Sequence, residues 1–411
     1  MRSNPLLAAV WPFAGAVILS ACAAGEPPSG FEHGSSSGTN HGSSSGGSGG
    51  SGSSGGSGGS GSSGGLLGSS GSSSSGGGSS GGGDGGIGII DQSPPCDSSL
   101  AVDGDAFNFA KAMGICTSAT QSGYGIVSAS YSNGFGTSAQ PVYGQWGLLP
   151  AFGVLAPREG SSIGALSSGF ARAYDDAAGV DMGMNSAFVA GQPMAGTAYP
   201  TGVAPSGYPQ AAQGCPQDNK VNDMIDLKLV LKAPPEATGF QFDFAFFSSE
   251  WPNYVCSNFN DAFVAYLTSQ QTTGNISFDS KNNPVAVNIG FLDVCTAGAP
   301  IGCLRSNGAM PDPPMSDALC PSGTAQLQGT GYAYTDQTQC DPSVNNVSAT
   351  LGASTGWLTT KAPITAGEQF TLDLMIWDAG DGLLDSSVLI DHFQWIGGEP
   401  VTTVTMPAPA Q

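Results

Sequence analysis

Positive charge is what this sequence most lacks. Ten Lys and Arg face 31 Asp and Glu, for a formal net charge of −21. Without clustered cations the chain has no electrostatic footprint for nucleic acid or for an anionic membrane surface. Histidine is scarcer still, with only His33, His41 and His392. There is no H-E-x-x-H, and one imidazole remains outside the N-terminal region to act as a base. No two cysteines have C-x-x-C spacing, which argues against zinc knuckles and thioredoxin-type redox motifs. Beyond the N-terminus no apolar run approaches the ~18 residues of a membrane-spanning helix.

What the sequence does hold begins with an address. Arg2 precedes the apolar stretch Leu6–Leu19, which Pro12 interrupts and which is too short to span a bilayer. It reads as a secretory signal. Leu19-Ser20-Ala21-Cys22 resembles the lipobox of bacterial lipoproteins. That resemblance implies cleavage before Cys22, acylation of Cys22, stable membrane anchoring through more than one acyl chain and, with Ala23 following, outer-membrane or cell-surface placement. An ordinary secretory signal with a chance cysteine is the alternative. Residues 34–86 are almost wholly Gly and Ser. Such a tract buries too little apolar surface to fold, and as a flexible coil it spans roughly 40 Å. The expected segmentation is a signal peptide at 1–21, a lipidated cysteine and disordered linker at 22–90, a β domain at 91–398 and a tail at 399–411.

Past the linker the composition shifts to aromatics, β-branched residues and cysteines. Cys96, Cys116, Cys215, Cys256, Cys295, Cys303, Cys320 and Cys340 make an even set, which in an exported chain reads as a disulfide framework. Spacing does not fix the pairing; Cys96–Cys116 and Cys303–Cys320 are expected as local staples. Period-two alternation predicts strands. Leu227, Leu229 and Leu231 share a face, as do Phe240, Phe242, Phe244 and Phe246. Val285, Val287, Ile289 and Phe291 form a third set, and Phe370, Leu372, Leu374 and Ile376 a fourth. SSVLIDHFQW (386–395) reads as one more strand, and Asp105–Gly114 as a helix capped at Asp105 and stopped at Gly114. The expected fold is all-β: an antiparallel, jelly-roll-like sandwich with few short helices, stapled by disulfides and polar on its outer faces.

Catalytic motifs carry little weight. Gly160-Ser161-Ser162-Ile163-Gly164 matches G-x-S-x-G, but a nucleophile elbow needs a strand, a helix and a histidine. His392 directly follows Asp391 in a predicted strand, which sends their side chains to opposite faces. The Gly134–Ala139 match to G-x-G-x-x-A lacks a βαβ setting and reads as a loop. Glu250, Asp261 and the acids of 378–391 leave a carboxylate-dependent glycoside hydrolase open. Trp251, Trp357, Trp377 and Trp395 serve equally as sugar-stacking rings or as core.

Two longer stretches belong together. FDFAFFSSEWPNYVCSNFNDAFVAYL (242–267) and LMIWDAGDGLLDSSVLIDHFQW (374–395) resemble the choice-of-anchor L domain of bacterial surface proteins. The pattern is Ser249-Glu250-Trp251 and Phe259-Asn260-Asp261-Ala262-Phe263. Much later come Asp378-Ala379-Gly380-Asp381 and Asp385-Ser386-Ser387-Val388. NNPVAVNIG (282–290), TGWLTTKAPITAGEQF (355–370) and LSSGFA (166–171) also fit, so the likeness covers about 91–398. The long stretch before Asp223 is less typical, and 91–222 is a candidate subdomain. The resemblance implies an extracellular β-rich domain with no general enzymatic activity.

DAGDGLLDSS (378–387) crowds Asp378, Asp381 and Asp385 into a sequence with 10% charged residues. Asp381-Gly382 is a hairpin signal, which makes the stretch a turn whose aspartates bond their own backbone. The other reading is a calcium loop, since calcium takes six to eight oxygens and suits flexible segments. Glu250, Asn260 and Asp261 from the other shared motif would complete it. Together these readings lead to a lipid-anchored, non-catalytic surface protein. Its expected roles are adhesion, or engagement of an extracellular polymer or surface protein, with calcium as the expected ion. The alternatives are a secreted carboxylate-dependent glycoside hydrolase and a structural envelope protein.

Overall fold

The computed structural model describes residues 88–90, 93–173, 201–288, 291–299, 301–302, 318–338 and 347–410. The signal segment, Cys22, the Gly/Ser tract, Cys303 and Cys340 lie outside the described residues. All described residues fall within one unit, Ser80–Gln411.

The chain opens with β1 (Gly88–Ile89), α1 (Ala106–Ala112), α2 (Ala119–Ser122), β2 (Gly125–Ser132), β3 (Trp146–Leu149) and β4 (Ile163–Ser167). It continues through β5 (Val221–Lys232), β6 (Ala237–Ser248), β7 (Ala262–Thr268), β8 (Thr273–Asn275) and β9 (Val285–Ala286). A separate pair, β10 (Tyr334–Thr338) and β11 (Val347–Leu351), precedes β12 (Ala353–Ser354) and β13 (Leu358–Pro363). The long β14 (Gln369–Ala379) and β15 (Ser386–Gly397) and the short β16 (Val404–Pro407) complete it.

Two antiparallel sheets make a sandwich-like arrangement. One runs β16-β13-β6-β15-β4-β3, with β1 added to β15 and β12 to β6; the other runs β2-β5-β14-β7-β8, with β9 added to β7. Strands from before residue 222 enter both sheets, since β2 pairs with β5 and β4 pairs with β15. Between the sheets lie the apolar sets that alternation marks out. Leu227, Leu229 and Leu231 of β5 are fully buried, as are Phe242, Phe244 and Phe246 of β6 and Leu372, Leu374 and Ile376 of β14. Phe240 of β6 stacks on Phe370 of β14 and on Phe393 of β15, each at 5.4 Å, so the ring joins the two sheets. Truncating such a ring to Ala costs about 3–5 kcal/mol. The helix also forms as expected: the Asp105 carboxylate accepts from the N–H of Asn108 at 2.9 Å, and Gly114 ends it with φ +96°.

Four features differ from the sequence expectations. The stretch from Val285 keeps only the two-residue β9, because the backbone N–H of Asn288 turns to the Asn260 Oδ1 at 3.1 Å; Ile289 lies outside the described residues. The outer face of the first sheet is polar only in part. Ala245, Phe247 and Leu389 pack there under Leu149, Phe152, Leu155, Leu327 and Tyr332, forming a second core. Cys320 bonds Cys295 rather than Cys303, with Cα atoms 5.1 Å apart. Cys96–Cys116 forms as expected, and the third bridge is Cys215–Cys256.

The fourth difference is the 380–385 turn. It is not a hairpin: β14 and β15 belong to different sheets, so the turn is a corner that carries the chain from one sheet to the other. Both strands bury an apolar face in the same interior, and packing face to face satisfies that where edge-to-edge pairing would not.

Candidate functional site: a buried carboxylate cluster

The corner after β14 gathers acids from four places in the sequence. Asp378 sits near the end of β14, just after a register irregularity between Ile376 and Asp378. Asp385 immediately precedes β15, Glu250 follows β6, and Asp261 immediately precedes β7. Asp223, in β5 with φ +52°, joins them; the sequence pattern gave no sign of it. Asp378, Asp261, Asp385, Glu250 and Asp223 are each 2% exposed or less. Gly169 packs so closely on the Asp385 carboxylate that a Cβ there would lie 1.8 Å from Oδ2.

Asp261 is the best-supported member. Its Oδ1 accepts from the backbone N–H of Ala379 at 3.1 Å and its Oδ2 from the Ser386 hydroxyl at 2.7 Å. Burial nonetheless pushes its carboxyl up to about 7. Burial, and then the charges of Asp261 and Asp381, push Asp223 up to about 8. Glu250 and Asp378 are raised well above the usual carboxylate range, first by burial and next by the Asp261 charge. Neither oxygen of Asp223 or Asp378 takes a hydrogen bond of normal geometry, nor does Oε2 of Glu250, although Ser168 and the Asp261 carboxyl both lie close to Asp378.

The two remaining expected ligands have other duties. Asp381 is only half-buried, and its Oδ1 accepts from the N–H of Leu383 at 3.1 Å, the turn chemistry its sequence suggests. Asn260 uses its side chain to join Gln210 and Asn288. Among the described residues no three His, Cys, Asp or Glu side chains already stand in a metal-ligating arrangement. The donor set is therefore oxygen-only and hard, as calcium prefers, but it is not a preformed shell of three carboxylates. Anionic carboxylates packed in a low-dielectric interior are untenable without compensation, so the cluster either keeps protons or takes up a cation.

A second polar group lies on the outer face of the first sheet. Asp243 of β6 is paired across the sheet with Asp391 of β15. His392 and Asp391 were expected on opposite faces, but a bulge with His392 at φ +55° brings the imidazole back to Asp243, with Nδ1 to Oδ2 at 2.9 Å. Arg158 completes the group through Nε at 2.6 Å. Burial raises Asp243, but hydrogen bonds from His392 and Thr359 and the Arg158 charge outweigh it and hold the carboxyl low. The G-x-S-x-G match is a clasped loop: the N–H groups of Ser161 and Ser162 both donate to Asp97 Oδ2 at 2.6 Å. Of the four tryptophans considered as sugar platforms, Trp251, Trp377 and Trp395 are core, while Trp357 is partly exposed.

Neither a curated protein nor a solved structure matches the chain. The family model of the Choice-of-anchor L domain matches residues 217–394, from just before β5 into β15. That span holds every member of the buried cluster, including Asp223, and stops short of LSSGFA at 166–171. The match and the disulfide bridges, which persist in oxidising compartments, fit an exported or cell-surface protein. Over residues 217–394 the chain is thus similar to the Choice-of-anchor L domain family.

Proposed function

We propose that this chain is a lipid-anchored surface protein that binds extracellular material without turning it over, and that its buried carboxylate cluster holds a structural calcium ion. The observation that carries the reading is where the acids lie. Glu250 and Asp261, the carboxylates a glycoside hydrolase would need, are 2% and 0% exposed inside the sandwich. A hydrolase needs its acid and base flanking a bound glycosidic bond. Acids at this depth instead shape the fold. Asp261, Asp378, Glu250 and Asp223 supply the carboxylate oxygens, with the Ser386 hydroxyl beside Asp261. Calcium bound there offsets the mutual repulsion of these groups and fastens the corner between the sheets.

Anchoring through Cys22 and a flexible tether over 34–86 place the domain away from the membrane in this reading. Incubating the complete chain with polysaccharides and cell-envelope fractions tests the role directly. Retention without release of reducing sugar is the expected result. Turnover that disappears in Glu250→Gln while the fold is kept would establish the hydrolase instead.

A further inference from the structure

The domain has a ready-made cleft on the side of the first sheet that carries Arg158, far in sequence from the acidic corner. It encloses about 580 Å³, within the size range of small-ligand sites. One wall is the 154–158 loop. Another is made by the segments around Asp293 and Ser322, and the approach to β13 through Thr355, Gly356 and Trp357 and residues 407–410 complete the lining.

These walls are locked before any ligand arrives. The Cys295–Cys320 bridge ties the Asp293 segment to the Ser322 segment within one wall. Val294 and Ser354 exchange backbone hydrogen bonds at 3.0 and 2.9 Å, and the N–H of Ser322 donates to the carbonyl of Asp293 at 3.1 Å. Arg158 lies 5.6 Å from the centre of the Trp357 ring and donates to the carbonyl of Pro409 at 2.9 Å. With Asp243 neutralising that guanidinium, the arginine braces the indole instead of presenting a free charge.

We propose that this cleft binds an uncharged saccharide unit of an extracellular polysaccharide, with Trp357 as the stacking ring and Asp293 and Gln326 as partners for sugar hydroxyls. The inference rests on the binding role proposed above and assigns it a site and a ligand class. The chemistry is that of a sugar ring: an apolar face for an aromatic platform and hydroxyl donors around its edge. Trp357 and Phe291 are the partly exposed rings. Gln326 lines the cleft partly exposed, with an amide oxygen that takes no hydrogen bond from the protein; turning that amide outward presents the acceptor to a ligand hydroxyl. Asp293 adds a second acceptor on the same cleft. A chain of net charge −21 repels acidic polymers, and the charged groups of the cleft are one arginine already paired with Asp243 and the single Asp293, a lining suited to an uncharged ligand. Preformed walls spare the ordering cost that a flexible site would impose on binding.

The test is calorimetric titration of the complete chain with neutral gluco-, xylo-, manno- and galacto-oligosaccharides, and in parallel with uronate oligomers and proline-rich peptides. At least one neutral series is expected to bind. Trp357→Ala should weaken it by about tenfold or more, Trp357→Phe should keep most of it, and Gln326→Ala should weaken it without moving the melting temperature. If neutral sugars bind Trp357→Ala and Gln326→Ala as well as the parent, the site assignment falls while the binding role stands. If only uronates or peptides bind, the ligand class falls and the binding role again stands. If nothing binds and sugars are cleaved, both readings fall.

Discussion

Asp226 shows at the level of one side chain how burial and charge set stability against pH. It lies on β5, 1% exposed, with Oδ2 accepting from the Ser132 hydroxyl at 3.2 Å and Oδ1 without a partner. Burial, and next the Asp373 charge, push its carboxyl up to about 8. The folded value thus lies above the ~4 of an unfolded chain. Its contribution to stability is fully present below about pH 4 and is lost as pH rises toward about 8. Asp226→Asn should therefore flatten the decline of melting temperature between pH 5 and 8 and stabilise the protein at pH 8, by on the order of a few kcal/mol. Melts at fixed ionic strength across that range check the slope. Asp243 is the opposite case, a buried carboxylate that is fully engaged by Arg158, His392 and Thr359. Asp243→Ala strands the Arg158 charge and should destabilise by about 3–5 kcal/mol in urea unfolding.

The elements show which parts of the fold were legible in the sequence. Strands with clean alternation, such as Leu227-Leu229-Leu231 and Phe370-Leu372-Leu374-Ile376, form where the period places them because one face meets the opposite sheet. The helix after Asp105 was equally readable, since its cap and stop are local chemistry. Interactions that depend on distant chain were not readable. Phe247 follows Phe246 and faces the other side, and only the loops carrying Phe152 and Tyr332 turn that side into a core. A solvent-facing Phe247 would tolerate truncation. Phe247→Ala is instead expected to cost about 3–5 kcal/mol, close to Phe244→Ala, with equilibrium urea denaturation as the measurement. The corner at 380–385 was misread for a similar reason: Asp-Gly marks a turn but does not say whether the next strand pairs with the last or crosses to another sheet. Asp378, Asp385, Glu250 and Asp261 were readable as candidates from their motifs. Asp223 was hidden, because a lone acid in a strand carries no local signal, and the bulge at His392 was equally silent.

For the molecule as a whole, the disulfides and the acidic corner act at separate places. Cys295–Cys320 closes a loop of sequence separation 25, and its reduction should lower stability by about 3 kcal/mol. That loss should persist whether or not calcium is present, because the bridge pins the cleft and not the carboxylates. The acidic corner ties β5, β7, β14 and the start of β15 together, so whatever neutralises it acts on both sheets at once. The most direct measurement is a thermal melt of the complete chain at pH 7.5, first in EDTA and then with calcium restored. The expected result is a rise corresponding to about 2.7 kcal/mol once calcium exceeds its dissociation constant by about a hundredfold. Asp381→Asn at the half-buried turn should keep that rise, and Asp378→Asn in the cluster should abolish it. Superimposable melts with and without calcium would contradict the calcium site and leave the buried carboxyls holding protons.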